Sequence, residues 1–269
     1  MRALIAVRAF LLRDLRTTRS YRFALLMQLF GIASGLWTYF FLGRMVEGGT
    51  TSAFLPASAD FFSFVLVGVA FWGLLSTAIL GTLNSIQAEQ RSGTLEAILV
   101  SSAPPWSVIL GGAMLPLLIG VLEMLLYLAG GAYFFNVDWG RAHWPALAAL
   151  VGLAVAHGAA LGFIVAAVVI VIKRGEAVAW VLISVLAMLS GVFYPVEVLP
   201  EPLHVISEML PLTYALRGMR EALFVGGSPA VWLYAVVLAL STLLLMLTGA
   251  WALKRAIDVA RTEGSLAHF

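Results

Sequence analysis

Six apolar runs, at about 23–43, 61–86, 108–135, 145–172, 177–194 and 230–253, constrain this chain more than any motif does. A helix needs roughly 20 mostly apolar residues to cross a hydrocarbon core of about 30 Å, and each run is near or above that length. The expectation is an all-α polytopic membrane protein with six transmembrane helices. Composition agrees: 62% of the 269 residues are hydrophobic and 11% are charged, where soluble domains carry about 25% charged residues.

The basic residues set the orientation. All sixteen Lys and Arg fall on the inner segments of an N-terminus-inside layout except Arg44, Arg141, Arg217 and Arg220. Cytoplasmic loops carry the excess of Lys and Arg, so both termini are expected inside. Aromatic residues gather at the opposite ends, at Trp37 and Tyr39–Phe41, at Phe61, Phe62 and Phe64, at Tyr133, Phe134 and Trp139, and at Trp144. That placement resembles an interfacial belt. The net charge of +2 is not gathered on one soluble face, as nucleic-acid binding would require.

The first 22 residues place six arginines around Leu4, Ile5, Val7, Phe10, Leu11 and Leu12. The pattern suits an amphipathic helix on an anionic leaflet; a positive flank to the first span is the simpler alternative. The start is too rich in arginine for a cleaved signal peptide, so the first span is expected to target the chain.

Between the second and third runs lies a polar island, Gln87 to Trp106. Ser92-Gly93-Thr94 offers small and hydroxyl residues to open a short helix. Leu95, Ile98 and Leu99 then make one apolar stripe, and Pro104-Pro105 ends it. About ten residues cannot span a bilayer. The stripe is read as a docking knob for a cytoplasmic partner.

Between the fifth and sixth runs, Pro195, Pro200, Pro202 and Pro211 break the chain into short pieces. Leu203, Ile206, Met209 and Leu210 keep a helical spacing. Half-helices of this kind read as a re-entrant hairpin, with an interfacial loop helix as the alternative.

Catalytic and metal chemistry find little here. The chain has no cysteine, no phosphate-binding glycine loop and no H-E-x-x-H, and His143, His157, His204 and His268 are scattered. Gly31…Gly35 and Gly158…Gly162 have small-x-x-x-small spacing. Glu123 is the acid deep in a span, with His157 a candidate partner. It reads either as a proton relay or translocation-path group, or as an interhelical hydrogen bond. Arg217 and Glu221 stand at i, i+4, as an ion pair or as an outer-gate latch with Arg220.

Two stretches carry a resemblance. Glu89-x-x-x-Gly93-Thr94-Leu95-Glu96, followed by Pro104-Pro105-Trp106 and Leu110-Gly111, resembles the first cytoplasmic loop of ABC-2 type transporter permeases. Gly191-Val192-Phe193-Tyr194-Pro195, Leu199-Pro200, Leu210-Pro211-Leu212-Thr213-Tyr214 and Arg220 are similar to that family's segment between spans five and six.

The resemblance implies one ABC-2 type transmembrane domain over residues 1–269: an interface helix at 1–22, a six-span core at 23–253 and a cytoplasmic tail at 254–269. It implies a coupling helix at about 92–103, with Glu89, Arg91, Gly93, Thr94, Leu95, Glu96, Ile98 and Leu99 at the ATPase contact. Pro195, Pro200, Pro211, Tyr214, Arg217 and Arg220 would shape an outer gate. The chain would be a permease and not an enzyme, paired with a second copy or a paralogue. A separate ABC ATPase would supply ATP and Mg and drive alternating access. The setting would be a bacterial or archaeal cytoplasmic membrane, the cargo a drug or lipid amphiphile. Polysaccharide or glycolipid export is the alternative, and proton-coupled transport through Glu123 is a further one.

Overall fold

The computed structural model describes residues 2–20, 22–46, 59–93, 105–172 and 175–262, and every regular element among them is helical. In chain order these are α1 (Arg2–Ser20), α2 (Arg22–Val46), α3 (Phe61–Arg91), α4 (Pro105–Phe135), α5 (Trp144–Ile172) and α6 (Gly175–Leu189). A single 3-10 turn (Val196–Val198), α7 (Glu201–Met209), α8 (Pro211–Arg220), a π turn (Glu221–Val225) and α9 (Pro229–Thr262) follow.

Five helices are long and apolar enough to cross a membrane, within α2, α3, α4, α5 and α9. The fifth expected span is different. Its apolar run extends to residue 194, but the helix stops at Leu189 after 15 residues. At a rise of 1.5 Å per residue it is about 22 Å long, short of the hydrocarbon core. Gly191, at φ +77°, turns the chain out of the helix. The prolines beyond it then confine regular structure to short pieces: Pro195 and Pro200 precede the 3-10 turn and α7, and Pro211 opens α8.

α3 and α5 form the centre, with most of their span windows buried, whereas α2 and α9 keep most of theirs on the outside. Phe71 and Leu74 of α3, Leu150 of α5, Leu216 and Met219 of α8 and Leu238 of α9 share one core. Ile79 and Leu83 of α3 meet Ile183 of α6 and Leu253 of α9 in a second. Without a hydrophobic drive between helices in lipid, close backbone approach supplies the packing. Gly158 and Gly162 do this: a methyl on either would stand 2.9 Å from Ala78 Cβ or 2.7 Å from Thr82 Oγ1 of α3. Gly35 meets the Tyr127 hydroxyl, while Gly31 faces open space.

α3 runs 31 residues, about 46 Å. It outreaches the core at one end and carries polar residues there. That proximal end also holds α1, with Phe10 against Gly111 of α4. The distal end holds Phe64, the start of α5 and the short helices.

Candidate functional site

At the proximal end α3 finishes on a Ser-Gly terminator. The Ser92 amide donates to Ala88 O at 3.1 Å, its hydroxyl turns back to the same carbonyl at 2.9 Å, and Gly93 takes φ +69°. A left-handed glycine just past the last turn is a common helix stop. Ser92 therefore closes the preceding helix. Thr94, Leu95, Glu96, Ile98 and Leu99, the body of the expected coupling helix, lie outside the described residues.

Glu89, expected at an ATPase contact, also makes a contact within the chain. It is buried, 9% exposed, and its carboxylate accepts from Arg13 Nη1 of α1 at 2.6 Å. Its observed work is to tie α1 to the end of α3. Arg91 is exposed, beside Gln87 at 3.5 Å, so it and Gly93 face outward from this end.

The polar groups inside the helices sort differently from the suggested pairing. Glu123 accepts from Gln28 of α2, and from Thr77 Oγ1 of α3 at 3.2 Å. His157 bonds instead to Thr242 Oγ1 of α9 at 3.0 Å and is buried. Glu123 and His157 belong to separate interhelical contacts. No spacing in the sequence points to Gln28, Thr77 or Thr242, because each partner comes from a different helix.

The distal end is built from the short pieces. Arg217 presents both guanidinium nitrogens to Glu208, at 2.9 Å and 2.6 Å, and reaches Glu197 at 3.0 Å. A two-pronged contact of this kind is among the stronger ion pairs. Hydrogen bonding to Arg217 holds the Glu208 carboxyl below its ordinary range. Tyr214 donates to Glu208 O at 2.8 Å. The expected Arg217–Glu221 pair does not form: Glu221 accepts from Ser228 Oγ at 2.8 Å. The helix turns into a π segment at Glu221, and Arg217 is drawn back across the Leu210-Pro211 break. Glu197 and Glu208 are invisible to a reading of the sequence because that break removes any helical spacing between them and Arg217.

Arg220 lies beneath this pair, 6% exposed. Its Nη2 donates to Gly191 O at 2.9 Å and to Val192 O and Phe64 O at 3.2 Å, and the guanidinium sits 3.4 Å from the Phe64 ring centroid. Of the expected outer-gate residues, Pro195, Pro200, Pro211, Tyr214, Arg217 and Arg220 thus belong to one cluster of short elements. Among the described residues, no three His, Asp or Glu side chains gather as a metal site requires.

Long apolar helices, polar elements at both ends and short broken helices between the last two long ones define a multi-pass membrane protein. Residues 4–224 match the ABC-2 type transporter family, and the chain belongs to it. Members are transport membrane subunits, distinct from the ATPase. The chain is also similar to the linearmycin resistance permease protein LnrN of Bacillus subtilis (strain 168), at 23% identity over 143 residues. The aligned stretch is 53% of this chain and 37% of that protein.

Proposed function

We propose that the chain is the permease subunit of an ATP-driven exporter that moves an amphiphile out of the cell by alternating access. The observation that carries this reading is the placement of two specialised polar ends on one helix, α3. Its proximal end leads into the expected coupling helix and is braced by α1. Its distal end touches Arg220 and, through it, the break after α6. A stroke delivered at one end has a continuous 31-residue rod along which to reach the other.

In this reading the proximal end is cytoplasmic. α6 and the segment through Tyr194 make the remaining crossing, with the short helices at its outer end, which gives six passages with both termini inside. Arg91, Gly93, Thr94, Leu95, Glu96, Ile98 and Leu99 meet the ATPase, which brings its own ATP and Mg. Arg217, Tyr214 and the prolines shape the outer closure, and a second permease completes the pathway. That the Bacillus relative is a resistance permease supports a drug-type cargo over a polysaccharide. Glu123, held by donors from two helices, is better suited to fastening α2 than to carrying protons.

The test is co-purification of the solubilised chain with candidate ABC ATPases, followed by ATP hydrolysis and efflux assays on Leu95→Asp and Glu96→Arg. Binding that both substitutions weaken, or hydrolysis that no longer drives efflux, is the expected result. An unbound chain, or variants that behave as the parent, would remove the mechanism and turn attention to Glu123→Gln in proton-coupled uptake.

A further inference from the structure

A helix that ends among apolar neighbours leaves its last carbonyls without intrahelical partners. In a bilayer no water answers them, so such a break survives only where protein does. The end of α6 and the break after it are answered from later in the chain. Leu186 O accepts from the Ser190 amide at 2.9 Å, within the turn itself. Met188 O accepts from the Tyr194 hydroxyl at 2.6 Å, and Leu189 O from Ser207 Oγ of α7 at 2.5 Å. The two carbonyls past the break, Gly191 O and Val192 O, accept from Arg220 of α8.

Arg220 differs from the other donors in joining two bodies. The nitrogen that serves Gly191 and Val192 also serves Phe64 O of α3, and the guanidinium lies on the Phe64 ring. Cation–π attraction is strongest where both groups are out of water. Among the described residues no carboxylate pairs with this charge at close range, because Glu197 and Glu208 are held by Arg217. The opposing face of α3 is cut to fit: a methyl on Gly68 would collide with Val192 O and stand 2.8 Å from Arg220 Nη2.

We propose that Arg220 is a positioning residue, a keystone that seats the broken end of α6 on α3 and holds the short-helix plug against that helix, with Gly68 as the gap that admits it. The consequence for transport rests on the export reading above. The seating itself does not.

The chain has no cysteine, so Val192→Cys supplies a single reporter thiol at a position with no exposed surface. In membranes carrying the full chain and its ATPase, this thiol should resist both membrane-permeant and impermeant maleimides. Adding Arg220→Gln should raise labelling about tenfold, the order expected when a buried set of charge-assisted hydrogen bonds is lost. Gly68→Ala, which changes no charge, should do the same, and Gly73→Ala, whose methyl meets nothing within 4 Å, should not. Arg220→Lys should recover part of the protection. ATPase binding at the far end should persist in all of them while efflux falls in the two unseated variants.

Labelling in Arg220→Gln equal to that of the parent would overturn the proposal, as would Gly68→Ala matching Gly73→Ala, or Arg220→Lys protecting no better than Arg220→Gln. Labelling by the permeant reagent alone would leave the keystone in place and remove the plug from the outer face. Unseated variants that export normally would likewise support the seating and overturn the gate.

Discussion

The two ends of α3 each hold an arginine, and they use it in opposite ways. At the proximal end Arg13 is half in solvent and meets a carboxylate, Glu89, across two helices. At the distal end Arg220 is buried, has no carboxylate in reach among the described residues and is bound by backbone carbonyls and an aromatic face. An ion pair whose arginine stays half in solvent is more easily opened to water than a wholly buried contact. A buried guanidinium is costly to strand, and so are the carbonyls that it serves. On the seating proposed for Arg220, the proximal contact is the one that can yield and the distal one the one that holds. This asymmetry suits a rod that is pushed at one end and pinned at the other.

The sharpest way to break the comparison is to remove each arginine in turn. Arg220→Met should cost about 3 kcal/mol or more, since three carbonyls lose their donor in a dry site. The thermal midpoint of the purified chain should fall by several degrees, and an unchanged midpoint would erase the contrast. The distal surface pair gives a smaller effect with a defined sign. Because the Glu208 carboxyl lies below its ordinary value of 4.5, its contribution is complete above that value and is lost as pH falls through the depressed one. Stability should therefore be level near neutrality and decline only in acid, a decline that Glu208→Gln and Arg217→Gln should both flatten. The smallest effect belongs to the proximal pair. Arg13→Gln and Glu89→Gln, which keep a hydrogen-bonding group in place of the charge, should each cost about 1 kcal/mol, yet a double-mutant cycle on efflux by the proposed exporter should show the two coupled. Additive losses there would mean that α1 is not mechanically tied to α3.

Much of this is legible because lipid imposes a long-period signal. Runs of about twenty apolar residues locate the starts of five span-length helices to within about three residues, though three of the helices run on past the apolar run, and the prolines between 195 and 211 foretell short pieces. The helix of the remaining expected span, the fifth in order, is shorter than its apolar run for a local reason. Leu189 through Tyr194 is as apolar as a span, but Gly191 adopts a left-handed φ that no hydropathy window detects. Polar pairing is the least legible, and it misleads always in the same direction: helical spacing suggests Arg217 with Glu221, and span depth suggests Glu123 with His157. The contacts found are between elements far apart along the chain.

Sequence alone determined that the chain is helical, that it is built for a membrane, where its helices begin and which family it resembles. Each of these follows from apolar length, proline and glycine acting on the backbone nearby. Tertiary structure decided what the charged residues do. An arginine takes the acceptors that folding brings within about 3 Å, and for Arg220 those are carbonyls 28, 29 and 156 residues away. Glycine's part was divided between the two: Gly191 turns its own chain, whereas the gap at Gly68 has meaning only once Val192 and Arg220 arrive to fill it.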